Sequence, residues 1–338
     1  MDLNTIWFLI ITFLFIGFLF LEGFDYGVGI LMPFLSQKDL ERRVIINTIG
    51  PFWDANEVWM ITAGAALLAS FPEVYASLTS SFYLAMITMI IGLIIRAVGF
   101  EFRSKRPEAA WRKRWDWGIF VGSLVPAFTW GLMLSNMMRG VAIDADKYYY
   151  GGLFPLLNPY ALVGGLVFVG LFTLHGASFL GIKLAGPLKN KAKQAGRLFW
   201  LPVSLLSAGF FLWTFFATDL LNNPGLDGLL FALVAAAALG AYGYLIRTER
   251  EMTTFIFGGI FIISTVLMVF VGLFPRLLVS TLDPSFSLTI YNSAASPGTL
   301  RLMSIIVLIF LPLVMLYQSW TYWIFRKRLS TDSPDLHY

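Results

Sequence analysis

Long runs of apolar residues dominate the chain, and short polar islands separate them. The runs are about 20 residues or longer, the length of helix that crosses a bilayer core of about 30 Å. Strands of a membrane barrel would instead show about ten residues of alternating polarity. The pattern therefore predicts an all-α polytopic membrane protein with nine spanning helices, over residues 5–34, 51–71, 76–100, 117–138, 158–182, 199–219, 226–246, 254–274 and 300–325.

The spans are expected to form one membrane domain. No soluble domain, low-complexity tract or internal repeat interrupts residues 1–338. The first run lacks the basic segment and small-residue cleavage site of a signal peptide, so we expect it to remain as a helix. Two four-helix bundles with one extra helix are the expected arrangement.

The composition agrees with this class and removes several cofactors. Hydrophobic residues make up 58% of the chain and charged residues 13%, which is about half the charged share of a soluble domain. The chain has no cysteine, so it can hold no disulfide, iron–sulfur cluster, thiolate-bound zinc or cysteine-linked haem.

The basic residues predict the orientation in the membrane. Of the 24 lysines and arginines, 19 fall on one side if the spans alternate, four fall on the other, and Arg96 lies within a span. Basic loops stay in the cytoplasm. We therefore expect the N-terminus outside and the C-terminus in the cytoplasm, and we interpret the basic loops as contacts to anionic lipids and not to nucleic acid.

Two acids, Glu22 and Asp25, interrupt the first apolar run. Each costs about 2.5–3.5 kcal/mol near mid-span on an insertion scale, so a compensating function or partner is expected. Because they are three residues apart, they share a helix face and can exchange a proton or hydrogen bond. Gly23 and Gly27 beside them form a small-residue surface suited to close helix packing.

Two further acids, Asp54 and Glu57, open the second span. Asp54 alone is explained by the positive end of the helix dipole, but this effect fades within a turn and Glu57 lies one turn deeper. The first span ends on the side where the second begins. Glu22, Asp25, Asp54 and Glu57 can therefore line one polar path from the cytoplasm.

Arg96 in the third span is the obvious partner for these acids, although a long side chain near an interface can also reach the headgroups. Glu101 follows it at the interface. His175 is the single histidine of the predicted spans. One histidine without cysteine allows at most a His/Met or single-axial haem site, and we interpret His175 as a structural hydrogen-bonding residue.

Several separate motifs occur in order along the chain, at residues 22–29, 41–43, 46–47, 50–59, 96–103, 115–118, 287–290, 312–314 and 317. By these motifs the chain resembles subunit II of the cytochrome bd-type quinol oxidases nearly from end to end. Ala55 stands where that family usually has glycine, and residues 294–297 also depart from its pattern. Neither difference removes a titratable group.

The resemblance implies a membrane oxidase that takes electrons from quinol and reduces dioxygen to water. It implies that subunit I holds the haems, two of type b and one of type d, while subunit II lacks their ligands. A cytoplasm-facing proton path is implied at Glu22, Asp25 and Asp54, with Trp53 and Arg96 in support. From the residues themselves we add Glu57 to the path and Glu101 to its support.

The resemblance also implies partners and a location. Subunit I is the expected partner, and some members carry a very small single-span subunit or a bound quinone in this subunit. Quinol and membrane lipids are further expected ligands. The expected location is the cytoplasmic membrane of a bacterium or archaeon.

Three hypotheses follow. In the first, the chain is the non-haem half of the oxidase and delivers cytoplasmic protons to the haems of its partner. In the second, the buried acids only orient helices and the chain is a scaffold for subunit I. In the third, based on the residues without the resemblance, mid-membrane carboxylates belong to a secondary transporter.

Overall fold

The computed structural model describes residues 2–221, 228–333 and 336, and helices dominate these ranges. They contain α1 (Leu3–Leu35), α2 (Asp39–Ile49), α3 (Trp53–Ser70), α4 (Pro72–Ser81), α5 (Tyr83–Phe102), α6 (Ala109–Arg139), α7 (Pro159–Lys183), α8 (Gly186–Ala217), α9 (Gly228–Leu245), α10 (Glu251–Leu273) and α11 (Pro297–Ile324). Between them lie three 3-10 helices, at Arg103–Lys105, Phe154–Leu157 and Pro284–Phe286, and two strands, β1 (Arg276–Leu278) and β2 (Leu288–Thr289). The predicted all-α class is confirmed.

Within the described ranges, eight helices are long and apolar enough to cross a membrane, namely α1 and α5 to α11. Helix α3 has 18 residues, a length of about 27 Å at 1.5 Å per residue. Because Asp54 and Glu57 lie in its first half, it lacks an apolar stretch as long as those of the other eight. A crossing by α3, and with it the count of nine spans and their orientation, therefore stays a prediction.

The third predicted span, residues 76–100, is wrong at its start. Helix α4 ends at Ser81, and Phe82, with ψ at 20°, separates it from α5. The hydroxyls of Thr79 and Ser80 donate to carbonyls one turn back in α4, and such bonds bend helices. Hydropathy could not predict this break because both sides of it are apolar.

Two other helices begin before their predicted spans, α6 at Ala109 and α8 at Gly186. The added turns are rich in lysine, arginine, alanine and leucine, which favour helices. These basic segments, predicted as loops, are therefore the first turns of two membrane helices. The seventh predicted span begins at residues 226–227, which lie outside the described residues.

Helix α1 packs against α3, α6, α7 and α10. Gly23 and Gly27 face α7, where a Cβ at Gly27 would overlap the carbonyl oxygen of Phe172 and one at Gly23 would overlap its ring. The close packing predicted for these glycines is confirmed. Because α1 contacts helices from both halves of the chain, the division into two four-helix bundles stays a prediction.

The helix ends form two different surfaces. At the end where α1 finishes and α3 starts, here called the basic end, most of the lysines and arginines lie. At the other end the two long loops pack together. The amide of Val141 donates to the carbonyl of Val279 at 2.9 Å, and β1 pairs with β2 in antiparallel fashion.

Candidate functional site

Glu22 and Asp25 lie inside the helix packing, and both side chains are 0% exposed. Helix α1 continues for ten residues past Asp25 to Leu35, so Asp25 lies about 15 Å from the helix end. A carboxylate at this depth needs a cation or hydrogen-bond donors, because its burial alone is costly.

Arg96 of α5 supplies the cation. Its guanidinium donates from Nη1 to Oε1 of Glu22, and both side chains are 0% exposed. The guanidinium carbon also lies 4.9 Å from the ring centre of Tyr26 and 5.5 Å from that of Phe100. Arg96 therefore pairs with an acid inside the protein, and the alternative, that it reaches the headgroups, is wrong.

The backbone of α6 holds Arg96 in place. A Cβ at Gly122 of α6 would lie 2.8 Å from the backbone nitrogen of Arg96 and 2.7 Å from its Cβ. Only glycine lets the two helices approach this closely. Among the described residues, Nε and Nη2 of Arg96 and Oε2 of Glu22 have no hydrogen-bond partner.

Asp25 is held by a neutral amide. Nδ2 of Asn56, on α3, donates to Oδ2 of Asp25 at 2.7 Å. Oδ1 of Asn56 accepts from Nε2 of Gln318 at 2.8 Å and from the hydroxyl of Tyr322 at 2.7 Å, both on α11. Three helices thus meet at one buried polar cluster, and Asn56 is 0% exposed.

The two acids of α3 lie nearer to the surface. Asp54 is exposed and Glu57 is half-buried. Glu57 is close enough to Arg96 to interact with its charge. Trp53 is 9% exposed and packs against Phe100 with 5.2 Å between ring centres, so it lies on the ring that covers Arg96.

Glu101 lies outside the buried group. Its side chain is exposed and lines a cavity of about 560 Å³ at the basic end, together with Asn47, Lys105 and Phe325. The predicted site residues therefore separate into a buried group of Glu22, Asp25 and Arg96 and a set nearer the surface.

A second charged cluster stabilises the basic end. Asp116 accepts from Nε of Arg103 at 2.6 Å and from Nη1 of Arg42 at 3.1 Å. Asp39 pairs with Arg103 and Arg112, each at 2.7 Å. Partial burial alone would raise the pKa of Asp39, but the hydrogen bond from Arg103 and the charges of both arginines hold it below its usual value.

His175 fits a structural role. Its Nε2 lies 3.2 Å from the carbonyl oxygen of Phe20, and its ring stacks on Phe255 with 4.6 Å between centres. A Cβ at Gly258 would lie 3.2 Å from Nδ1. The rings of Phe20 and Phe24 close two further sides. This enclosed ring leaves no room for a haem plane, so His175 does not fit a haem ligand.

Sequence reasoning missed the neutral members of the site, which are Asn56, Gln318, Tyr322 and Tyr26. Asn56 lies between the two predicted acids of α3, and Gln318 is an amide inside an apolar run. Those positions were a signal, but nothing in the sequence indicated that α3 and α11 meet.

The match to known proteins covers nearly the whole chain. The family model for cytochrome bd terminal oxidase subunit II matches residues 3–325. The chain belongs to this family. It is 38% identical to the cytochrome bd ubiquinol oxidase subunit 2 of Bacillus subtilis, covering 98% of each chain. It is 35% identical to the cytochrome bd-I ubiquinol oxidase subunit 2 of Escherichia coli, covering 98% of this chain and 96% of the relative.

A solved structure supports the fold. The bd oxidase from Geobacillus thermodenitrificans contains a chain with a TM-score of 0.75 and 16% identity, covering 97% of this chain and 100% of that one. As a member of the subunit II family, the chain is part of a haem-containing quinol oxidoreductase complex and has a partner subunit. The family also makes it a multi-pass membrane protein, as its eight apolar helices indicate.

Proposed function

We propose that this chain is the non-haem subunit of a terminal oxidase that oxidises quinol and reduces dioxygen to water, and that it conducts protons from the cytoplasm. The proposed order is Asp54 and Glu57 at the entrance, then Asp25 and Glu22. The haems, of types b and d, are held by the partner, subunit I. The membrane is the cytoplasmic membrane of a bacterium or archaeon, with the basic end facing the cytoplasm.

The observation that carries the proposal is the unequal number of buried charges. Glu22 and Asp25 are both fully buried, and Arg96 is the buried cation that interacts with them. Arg96 pairs directly with Glu22, so Asp25 has a neutral hydrogen-bond donor, Asn56, and no cation of its own. A buried carboxyl of this kind is suited to carry a proton, because its neutral form needs no counter-charge.

The positions of the α3 acids support an entrance at the basic end. Asp54 lies in the first turn of α3 and is exposed, and Glu57 is one turn deeper and half-buried. A proton can thus pass from a carboxylate in contact with water to one at the edge of the buried group. The positive end of the helix dipole also stabilises the carboxylate of Asp54, which is compatible with its role as the proton entrance.

The enclosed ring of His175 supports the assignment of the haems to the partner. Bound in subunit I, the haems would supply the redox chemistry. The residues of this chain would then hold and release protons, through the carboxyls of Asp25 and Glu22, on the side from which the partner draws them.

The test compares Asp54→Asn, Asp25→Asn and Glu22→Gln in the assembled complex. We expect quinol-dependent oxygen consumption to fall at least about tenfold, as expected for loss of a positioned proton-transfer group. The haem absorption spectrum should be unchanged. Glu108→Gln is the matched control, because Glu108 is an exposed acid at the same end. Normal turnover in all three variants would refute the conduit.

A scaffold role is favoured by one observation, the fully buried pair of Glu22 and Arg96. Such a pair can fix the contact between α1 and α5. Under this hypothesis the same variants would lower the amount of assembled complex while each complex kept its normal rate. Membership of an oxidase subunit family favours either hypothesis over the secondary transporter.

A further inference from the structure

A series of linked hydrogen bonds ends at Asp25, and in each of them the donor lies on the side away from Asp25. The series starts at Trp59 of α3, whose Nε1 donates to Oε1 of Gln318 at 2.6 Å. An indole nitrogen can only donate, so the atom of Gln318 that faces Trp59 must be its oxygen. The amide nitrogen of Gln318 then has to face the other way, toward Asn56.

The same logic fixes Asn56. Since Nε2 of Gln318 donates to it at 2.8 Å, the atom of Asn56 that faces α11 must be Oδ1. The hydroxyl of Tyr322 donates to this same oxygen at 2.7 Å. The amide nitrogen of Asn56 is therefore the atom that faces Asp25, and it donates to Oδ2 at 2.7 Å.

We propose that Trp59, Gln318 and Asn56 form a one-way donor chain that keeps Oδ2 of Asp25 an acceptor, so that Asp25 takes up and releases its proton on Oδ1. This inference rests on the proposed proton path and names the oxygen that serves it. Asn56 is a positioning residue in this scheme, because its carboxamide neither gains nor loses a proton readily and so does not pass one along the chain.

The surroundings of Asp25 agree with this assignment. Among the described residues, Oδ1 has no hydrogen-bond partner, whereas Oδ2 has Asn56. The ionisable groups that interact with Asp25 are Glu22 and Tyr26 on its own helix, Glu57 on α3, Arg96 on α5 and Tyr322 on α11. His175 on α7 is directed instead to the carbonyl of Phe20.

The first test is infrared difference spectroscopy of the assembled oxidase on a change of redox state. We expect a protonated carboxyl C=O band that is lost in Asp25→Asn. With the proton on Oδ1, the C=O bond is the one to Oδ2, which accepts from Asn56. Asn56→Leu removes that hydrogen bond, so the band should move to higher frequency. An unmoved band, or no band that depends on Asp25, would overturn the donor chain.

The second test is the pH profile of turnover. A donor to a carboxylate favours its charged form, so loss of Asn56 lets Asp25 keep its proton to higher pH. We expect the alkaline limb in Asn56→Leu to move up by about one pH unit. Gln318→Met combined with Tyr322→Phe frees the Asn56 amide to rotate and should give a smaller shift in the same direction. An unshifted limb in both would contradict the donor chain.

The control removes a buried hydrogen bond from the same helix without touching Asp25. Ser70 of α3 is fully buried, and its hydroxyl donates to the carbonyl of Ala66 at 2.6 Å. Ser70→Ala should leave the pH profile and the carboxyl band in place even where it lowers the yield. The two proposals can fail separately. Normal turnover in Asp54→Asn, Asp25→Asn and Glu22→Gln refutes the conduit, whereas a turnover defect in Asp25→Asn with an unchanged band in Asn56→Leu refutes only the donor chain.

Discussion

Arg96 pairs with Glu22, one of the two buried acids, and this pairing makes the protein sensitive to substitution of Arg96. Removing one partner of a buried ion pair costs about 3–5 kcal/mol, because the other charge stays buried without compensation. We therefore expect Arg96→Leu to lower both the yield of assembled complex and its melting temperature. Thermal unfolding of the purified complex, followed by haem release, measures the effect.

The matched variant removes both charges. In Glu22→Gln combined with Arg96→Leu, no uncompensated charge remains from the pair, so most of the lost thermal stability should return. A double variant as unstable as Arg96→Leu would mean that packing of the guanidinium against Tyr26 and Phe100, and not charge, makes Arg96 necessary.

The charged site residues could be predicted from the sequence, because a charge within an apolar run is costly and therefore visible. Their neutral partners could not. Asn56 and Gln318 cost much less to bury than an acid, so their presence in a span attracts no attention. Their role depends on α1, α3 and α11 meeting at one point, which is a property of the tertiary structure.

At the scale of the helices, the contact of α1 with α7 depends on Gly27. A Cβ there would overlap the backbone oxygen of Phe172, so Gly27→Ala must push the helices apart. Forcing extra atoms into a close-packed contact costs about 1–3 kcal/mol. We expect a lower melting temperature and a lower turnover, since α1 carries both Glu22 and Asp25.

Gly209→Ala is the matched control for this prediction. Gly209 lies in α8 with nothing within 4 Å of an added Cβ. Alanine there should leave stability unchanged or raise it by up to about 1 kcal/mol, because alanine favours helices over glycine. Equal losses in the two variants would show that helix propensity, and not the close contact, governs the result.

Hydropathy predicted the eight helices that contain a long apolar stretch, but not where each helix ends. It reports where a segment leaves the membrane, and a helix can continue past that point, as α8 does from Gly186. It also reports no break between two apolar helices, as at Phe82. Helix α3 shows the opposite difficulty, because the acids that make it functionally interesting also lower its apolar signal.

At the scale of the whole molecule, the face formed by α3 and α11 exposes a large apolar surface. In α11, which the structure describes throughout, Leu300 and Gln318 are the buried side chains. A groove of about 640 Å³ separates α11 from α3, and its walls are almost entirely apolar. The exposed acid Asp54 lies on α3, at its basic end. A proton entrance at Asp54 needs contact with water, which lipid tails beside it would prevent, so we expect the partner subunit, and not lipid, to cover this face.

Cross-linking tests this location. The chain has no cysteine, so a single introduced cysteine is the one site in this chain that can carry a photoreactive maleimide. Ile61 of α3 and Leu205 of α8 are matched probes, because both are apolar helix residues, 63% and 66% exposed. We expect Ile61→Cys to give a covalent product with the partner subunit in membranes, and Leu205→Cys to give lipid adducts alone. A product with the partner from Leu205→Cys and none from Ile61→Cys would move the interface to α8. The proposed path through Asp54 would then open to lipid and would have to be abandoned.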